Sequence, residues 1–507
     1  MNIKNIKTLG ELKKSGYKPK SVKEELRENL IRKLKNKEIT FPHIVGYEET
    51  VIPDVERALL SRHNILFLGL RGQAKTRMAR QMTELLDEYI PVVEGSDIND
   101  DPFLPITKYA RDLIAQKGDD TPIYWLHRSE RYGEKLATPD VSVADLIGDI
   151  DPIKAANLKL TFADERVLHY GIIPRSNRGI FVINEIPDLQ ARIQVSLFNI
   201  LEEGDVQIRG FKLRLPLDIL FVFTANPEDY TNRGSIVTPL KDRIESQILT
   251  HYPKNIEMAL EITEQEAELL DEQKAKVKVS DLVKRLIEQV SFEARGSEFV
   301  DKKSGVSARL SIAALENAVS AAERRGIINA EKETQVWISD LVGIIPSITG
   351  KIELVYEGEQ EGPYQVALNL VEKAMRSQFV QYFPNPEQLK KRKTAQAPQT
   401  ENPYRSIISW FDKGNSLNLF FNTKDSDKVQ LLYKVDGLHA FVKKYFKHAN
   451  DLESALLMEF VLHGLSSYSL ISKKMMEGKI EFKDLMGSML NMGNASYQDE
   501  ELDSDFT

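Results

Sequence analysis

Two neighbouring side chains and two distant ones could together do chemistry in this chain: Lys75 and Thr76 behind a glycine turn, the carboxylate of Glu185, and the carboxamide of Asn226. The stretch Gly69-Leu70-Arg71-Gly72-Gln73-Ala74-Lys75-Thr76 has the residue types of a phosphate-binding loop. Glycines let backbone N–H groups turn inward toward an anion, and a helix starting near Lys75 adds partial positive charge. In such a loop Lys75 reaches the β- and γ-phosphates of a nucleoside triphosphate, and the Thr76 hydroxyl coordinates Mg²⁺. Ala74 stands where the usual pattern has a second glycine, and alanine takes a positive φ less readily. A plain glycine turn would explain Gly69 and Gly72 but not Lys-Thr at that spacing.

Hydrolysis of a bound triphosphate needs a group that activates water and a polar group that reads the γ-phosphate. Glu185 closes the apolar run Gly179-Ile-Phe-Val-Ile-Asn and is placed to polarise water. Asn226 closes Leu220-Phe-Val-Phe-Thr-Ala; alone it reads as an Asn-Pro turn, a common loop starter. The elements that must position these groups are short buried strands. Ile65–Leu68 is long enough for a parallel strand and too short for a core helix. Gly179–Asn184 and Leu217–Thr224 are two more, and ligands of open α/β sheets bind at carboxyl strand ends. Helices are expected over 48–62, 77–86 and 189–203, and a β-hairpin over 207–215, turning at Gly210.

The chain has 507 residues, 42% apolar and 28% charged, the composition of a globular protein of about three domains. A net charge of −8 provides no global basic field for nucleic acid or an anionic membrane. The lysine-rich segment 23–37 carries Leu26, Leu30, Ile31 and Leu34 at helical spacing. It reads as an amphipathic helix packed on the next domain, and the glutamates interrupting it disfavour a nucleic-acid arm. The chain contains no cysteine, which excludes disulfides and thiolate chemistry and fits a reducing cytoplasm. The N-terminus lacks a signal-peptide core, and no apolar run is long enough to insert in a membrane.

These motifs, in this order, resemble those of AAA+ ATPases, in the branch of the magnesium chelatase AAA+ subunits and MoxR-type ATPases. The resemblance covers residues 41–347. Ile44-Val45-Gly46-Tyr47 is similar to the segment lining the adenine pocket, and Gly69–Thr76 to a Walker A loop, where alanine before the lysine recurs in MoxR-type members. Asp145-Leu-Ile-Gly-Asp-Ile-Asp through Gly179 resembles the chelatase helix-2 insert, and 207–215 the hairpin before sensor 1. Thr224-Ala-Asn226-Pro-Glu is sensor-1-like. Leu240-Lys-Asp-Arg243 resembles the motif whose arginine acts on the neighbouring subunit's ATP. Val306-Ser-Ala-Arg309 resembles sensor 2. Without the family, Arg243 and Arg309 would read as surface ion-pair residues.

The resemblance implies an α/β fold: an AAA+ P-loop core with a parallel sheet between helices, an α-helical lid, and a mixed, mainly helical C-terminal region. It implies ATP and Mg²⁺ as cofactors, a homo-oligomeric ring, usually hexameric, and ATP hydrolysis coupled to remodelling of a partner or metal loading into it. That partner is commonly a von Willebrand A domain protein on a separate chain. Narrower or rival readings are a magnesium chelatase subunit of tetrapyrrole synthesis, an AAA+ transcription regulator and a nucleotide-dependent scaffold. No Gly-Ala-Phe-Thr-Gly-Ala-like loop or helix-turn-helix supports the regulator. One position departs from the family: Asn184 stands where the aspartate before the Walker B glutamate is usual. Asn can accept from a metal-bound water but brings no charge, so weaker Mg²⁺ affinity is expected, with Asn184→Asp lowering the Mg²⁺ requirement. The expected segments are a basic helical one (1–40), the core (41–253), the lid (254–350), an extended piece plus helix (351–383), a Pro-rich linker (384–403), an accessory domain (404–493) and an acidic disordered tail (494–507).

Overall fold

Five strands, β1 (Ile65–Leu68), β2 (Tyr132–Leu136), β3 (Gly179–Asn184), β4 (Ile219–Ala225) and β5 (Ser246–Leu249), make the central sheet. Their order is β5-β1-β4-β3-β2, and every pairing is parallel. β1, β3 and β4 are buried at every residue, as near-continuous apolar strands must be in a sheet covered on both faces. Alternation divides them between two cores. Ile180 and Val182 join Ile65, Phe67 and Val222 on one face, while Phe181 and Ile183 join Leu66 and Phe223 on the other.

The computed structural model describes residues 6–161, 164–208, 214–226, 235–387 and 402–485. The expected hairpin turn at Gly210, the Pro227-Glu228 end of the sensor-1-like motif, most of the linker and the acidic tail lie outside them. The hairpin's arms, Asp205–Gln207 and Arg214–Pro216, pair antiparallel. The chain divides into two compact units between Tyr252 and Pro253.

In the first unit, helices α1 (Val22–Lys35), α2 (Val51–Leu60) and α3 (Lys75–Gln81) cover one face of the sheet. A capping box between Ser21 and Glu24 starts α1. Val22, Leu26 and Leu30 recur every four residues and are buried, whereas Leu34 is 40% exposed. Glu25 on α1 accepts from both terminal nitrogens of Arg131, at 2.7 and 2.6 Å, with both residues buried. Arg131 Nε also donates to Arg178 O at 2.7 Å. Removing one partner of such a buried pair costs about 3–5 kcal/mol, so α1 is fastened to the sheet by more than apolar contact. The insert between β2 and β3 contains a short antiparallel pair, Gly148–Ile150 with Leu168–Tyr170, flanking a helix, Pro152–Leu158.

In the second unit, α4 (Asp281–Gly296), α5 (Arg309–Ile328), α6 (Pro363–Tyr382) and α7 (Asp451–Ser467) surround one core. A three-stranded antiparallel sheet packs with them, Lys479–Lys483 lying between Leu417–Phe420 and Ser472–Met476. Residues of the expected lid (Leu286, Val319) and of the expected accessory domain (Phe411, Phe460) line the same apolar cluster. Arg325 on α5, 1% exposed, bonds Asp340 at 3.1 Å and Asp425, and Trp337 Nε1 donates to Asp425 at 2.8 Å. The piece expected to be extended from Ile352 to Gly358 makes one bridge, Leu354 to Val300, and turns helical at Tyr356. Among the described residues no helix is long and apolar enough to cross a membrane.

Asp218, beneath α1, accepts from Val22 N–H at 2.8 Å, and burial pushes its carboxyl from 3.8 up to about 6. The folded chain therefore binds this proton more tightly than the unfolded one, and stability present below pH 3.8 is lost as pH rises through about 6. Asp218→Asn keeps the acceptor and removes the charge. Its expected effect is a stabilisation of about 3 kcal/mol near neutral pH, read as a higher Tm that converges with wild type as the pH is lowered toward 4.

Candidate functional site

The loop between β1 and α3 has left-handed backbone at Gly72 (φ 72°) and at Ala74 (φ 55°, ψ 14°). The alanine thus sits where glycine would be free, at a cost of about 1–2 kcal/mol. Gly69 is needed for a different reason: a Cβ there would lie 1.9 Å from Thr250 Oγ1 and 2.2 Å from Gln73 Oε1. Lys75 begins α3 and is buried, its ammonium donating to Gly69 O and, at 3.0 Å, to Leu70 O.

Two segments remote in sequence hold this loop. Tyr47 Oη lies 3.0 Å from Gln73 O and 2.8 Å from His251 O, and its single proton is shared between those carbonyls. Burial pushes the Tyr47 phenol above its ordinary value, so it stays a donor. Thr250 Oγ1 donates to Gln73 Oε1 at 2.7 Å, and Tyr252 Oη donates to Arg71 O at 2.9 Å. Gly46, with φ 83°, and half-buried Val45 lead directly into Tyr47. The Thr250–Tyr252 clamp carries no sequence signal beyond its place at the end of a strand.

The strand ends bring the remaining groups to the same edge. Gly69 N–H donates to Ala225 O at 3.1 Å, which seats buried Asn226 beside the start of the loop. Asn184 Oδ1 accepts from Thr76 Oγ1 at 3.2 Å and from Thr224 Oγ1 at 3.1 Å. Thr224 Oγ1 in turn accepts from Glu185 N–H at 3.1 Å. Glu185 leaves β3 with φ 54° and ψ 51°, a strained turn for a non-glycine residue of the kind found at functional sites. The Thr76 hydroxyl and the Asn184 amide oxygen are hard donors on neighbouring elements, a set that fits Mg²⁺ retaining most of its water.

A carboxylate that sequence reasoning missed stands behind Asn184. Glu134, on β2, accepts from Asn184 Nδ2 at 2.6 Å through Oε1. Its Oε2 accepts from Tyr132 Oη and from Arg80, each at 2.9 Å. The two predicted arginines stand on other elements. Arg243 caps the short helix Thr238–Asp242, donates to Glu202 and lies over the Phe198 ring with its guanidinium 4.9 Å from the centroid. Arg309 is the exposed first residue of α5, in the second unit.

A family model described as the Sigma-54 interaction domain matches residues 158–248. The magnesium-chelatase 38 kDa subunit of Cereibacter sphaeroides is 25% identical over 233 residues, 45% of this chain and 63% of that protein. Its counterpart in Rhodobacter capsulatus is 26% identical over 233 residues, 44% of this chain and 59% of that protein. The chain thus spans less than two thirds of the length of these curated relatives. A cryo-EM-based model of the complex between magnesium chelatase subunits BchI and BchD overlays with a TM-score of 0.32 at 17% identity, covering 64% of this chain and 98% of that one.

Two substitutions test the loop. Ala74→Gly relieves the left-handed strain and is expected to leave Tm unchanged or raise it, by up to about 1 kcal/mol in stability. Gly69→Ala is expected to displace Thr250 and Gln73 and lower Tm, because its Cβ has no room. Thermal melts of the two variants beside wild type check both.

Proposed function

We propose that the chain is an AAA+ ATPase in the branch of the magnesium chelatase AAA+ subunits and MoxR-type ATPases, a ring-forming ATP hydrolase driving remodelling of, or metal loading into, a partner protein. The observation that carries the proposal is the gathering of the Lys75 loop, Thr76, Asn184, Glu185 and Asn226 at one edge of a parallel sheet.

In this reading the loop N–H groups and the Lys75 ammonium bind the phosphates, and Thr76 and Asn184 hold Mg²⁺. The metal, when bound, neutralises charge building on the β- and γ-oxygens. Glu185 orients and polarises the attacking water, and Asn226 fixes its position against the γ-phosphate. Val45 and Gly46 line the base pocket. Arg243 acts on the nucleotide of the adjacent protomer, and docking of that protomer exchanges its Glu202 contact for phosphate. Arg309, in the expected helical lid (254–350), takes the sensor-2 role that the resemblance implies. The hairpin and the insert between β2 and β3 carry nucleotide-dependent movement to the partner, of which a von Willebrand A domain protein is one form. Cytoplasmic location and a hexameric ring belong to the same proposal.

The names of the curated relatives favour a magnesium chelatase subunit as the narrower form, carried by the 233-residue matches. The Sigma-54 interaction match supports a transcription regulator as second reading. It spans β3, the hairpin arms and β4, parts that both readings share.

Glu185→Gln is expected to retain binding of a fluorescent ATP analogue while ATPase activity falls about 10²–10⁴-fold, with ATP-dependent assembly persisting by light scattering. An arginine supplied in trans contributes about 10³–10⁵ in rate, so specific activity must fall on dilution to monomer. Specific activity that is independent of protein concentration overturns the role of Arg243. Loss of nucleotide binding in Glu185→Gln but not in Lys75→Ala overturns the assignment of the site.

A further inference from the structure

The charge absent from position 184 is present one hydrogen bond away. We propose that Glu134, on the neighbouring strand, is the positioning residue that orients Asn184 and supplies the anionic character of the Mg²⁺ site; the inference rests on the ATPase reading above.

The register explains how the two meet. Asn184 lies opposite Leu136, and Glu134 is two residues earlier, so it is the diagonal neighbour of Asn184 on one sheet face. The amide has only one satisfying orientation. Glu134 accepts and cannot donate, so it takes Nδ2 at 2.6 Å, leaving Oδ1 for the hydroxyls of Thr76 and Thr224. A short charge-assisted bond to the amide N–H draws electron density onto Oδ1, the atom that faces Thr76. This is the relation by which a carboxylate behind a ligand raises that ligand's basicity toward a metal.

Glu134 is itself held. The Tyr132 phenol, pushed up chiefly by burial and then by Glu134, remains a donor to Oε2, and Arg80 pairs from the solvent side. With the Arg80 side chain 67% exposed, that ion pair is screened and contributes little by itself. The shortest contact of Glu134 is the one directed at Asn184.

The same geometry revises the expectation for Asn184→Asp. Alone, it puts two carboxylates where an amide and a carboxylate now lie 2.6 Å apart, and both cannot stay ionised without a cation between them. Combined with Glu134→Gln, it moves the charge from the outer position to the inner one. The two substitutions together therefore differ from their sum.

The test uses the full chain and an N-methylanthraniloyl-ATP probe, titrated with Mg²⁺ from an EDTA-treated baseline. Glu134→Gln keeps an acceptor for the amide and loses the charge. Half-saturating Mg²⁺ is expected to rise about tenfold, the lower end of the loss typical of such outer partners, with Mg²⁺-free probe affinity and Tm unchanged. The double variant E134Q/N184D is expected to return half-saturating Mg²⁺ to the wild-type value or below. A Glu134→Gln titration within twofold of wild type overturns the proposal, as does a double variant no better than Glu134→Gln. Should wild type bind no probe with or without Mg²⁺, the ATPase reading itself is overturned, a result distinct from either of these.

Discussion

A parallel sheet collects the carboxyl ends of all its strands on one edge, and the rest of this site follows from that constraint. β1 delivers the phosphate loop, β3 delivers Asn184 and Glu185, and β4 delivers Thr224 and Asn226. The order β5-β1-β4-β3-β2 seats β1 beside β4 and β4 beside β3, so residues far apart in the chain arrive as neighbours. β5 lies on the other side of β1, and its continuation, Thr250–Tyr252, closes over the loop.

Rigidity on that edge allows the loop to hold unfavourable backbone. Ala74 and Glu185 both occupy left-handed conformations without being glycine. Each costs free energy that tertiary contacts must offset. The Tyr47 phenol, the Thr250 hydroxyl and the Tyr252 phenol supply those contacts for the loop, and the Thr224 hydroxyl supplies one for Glu185. Positive φ at position 74 is therefore a property of the frame around the loop as much as of the loop itself.

The parts legible in the sequence were the local ones. Apolar strands ending in polar residues, and glycines spaced before Lys-Thr, announce themselves within a dozen residues. Glu134 was not legible: Tyr132-Gly-Glu-Lys-Leu136 is a polar edge strand without a hydrophobic pattern, and its pairing with Asn184 exists only across strands. The clamp at Thr250–Tyr252 is hidden for the same reason, about 180 positions from the loop it holds. In the second unit, Ser472–Met476 and Lys479–Lys483 form a hairpin around Glu477-Gly478, but their lysines mask the strand alternation. The separation of a lid from an accessory region followed the proline-rich composition near 384–403, whereas the shared apolar cluster and the buried Arg325–Asp425 pair join stretches too far apart in sequence to be read from it.

That buried cluster has a mechanical consequence. Arg309 and Arg325 stand sixteen residues apart on one uninterrupted helix, roughly 24 Å from end to end. Asp340 and Asp425 grip the far end from two different stretches of chain. The first turn of α5 and the anchor at Asp425, which follows the strand Leu417–Phe420, are thus the two ends of one continuous rod.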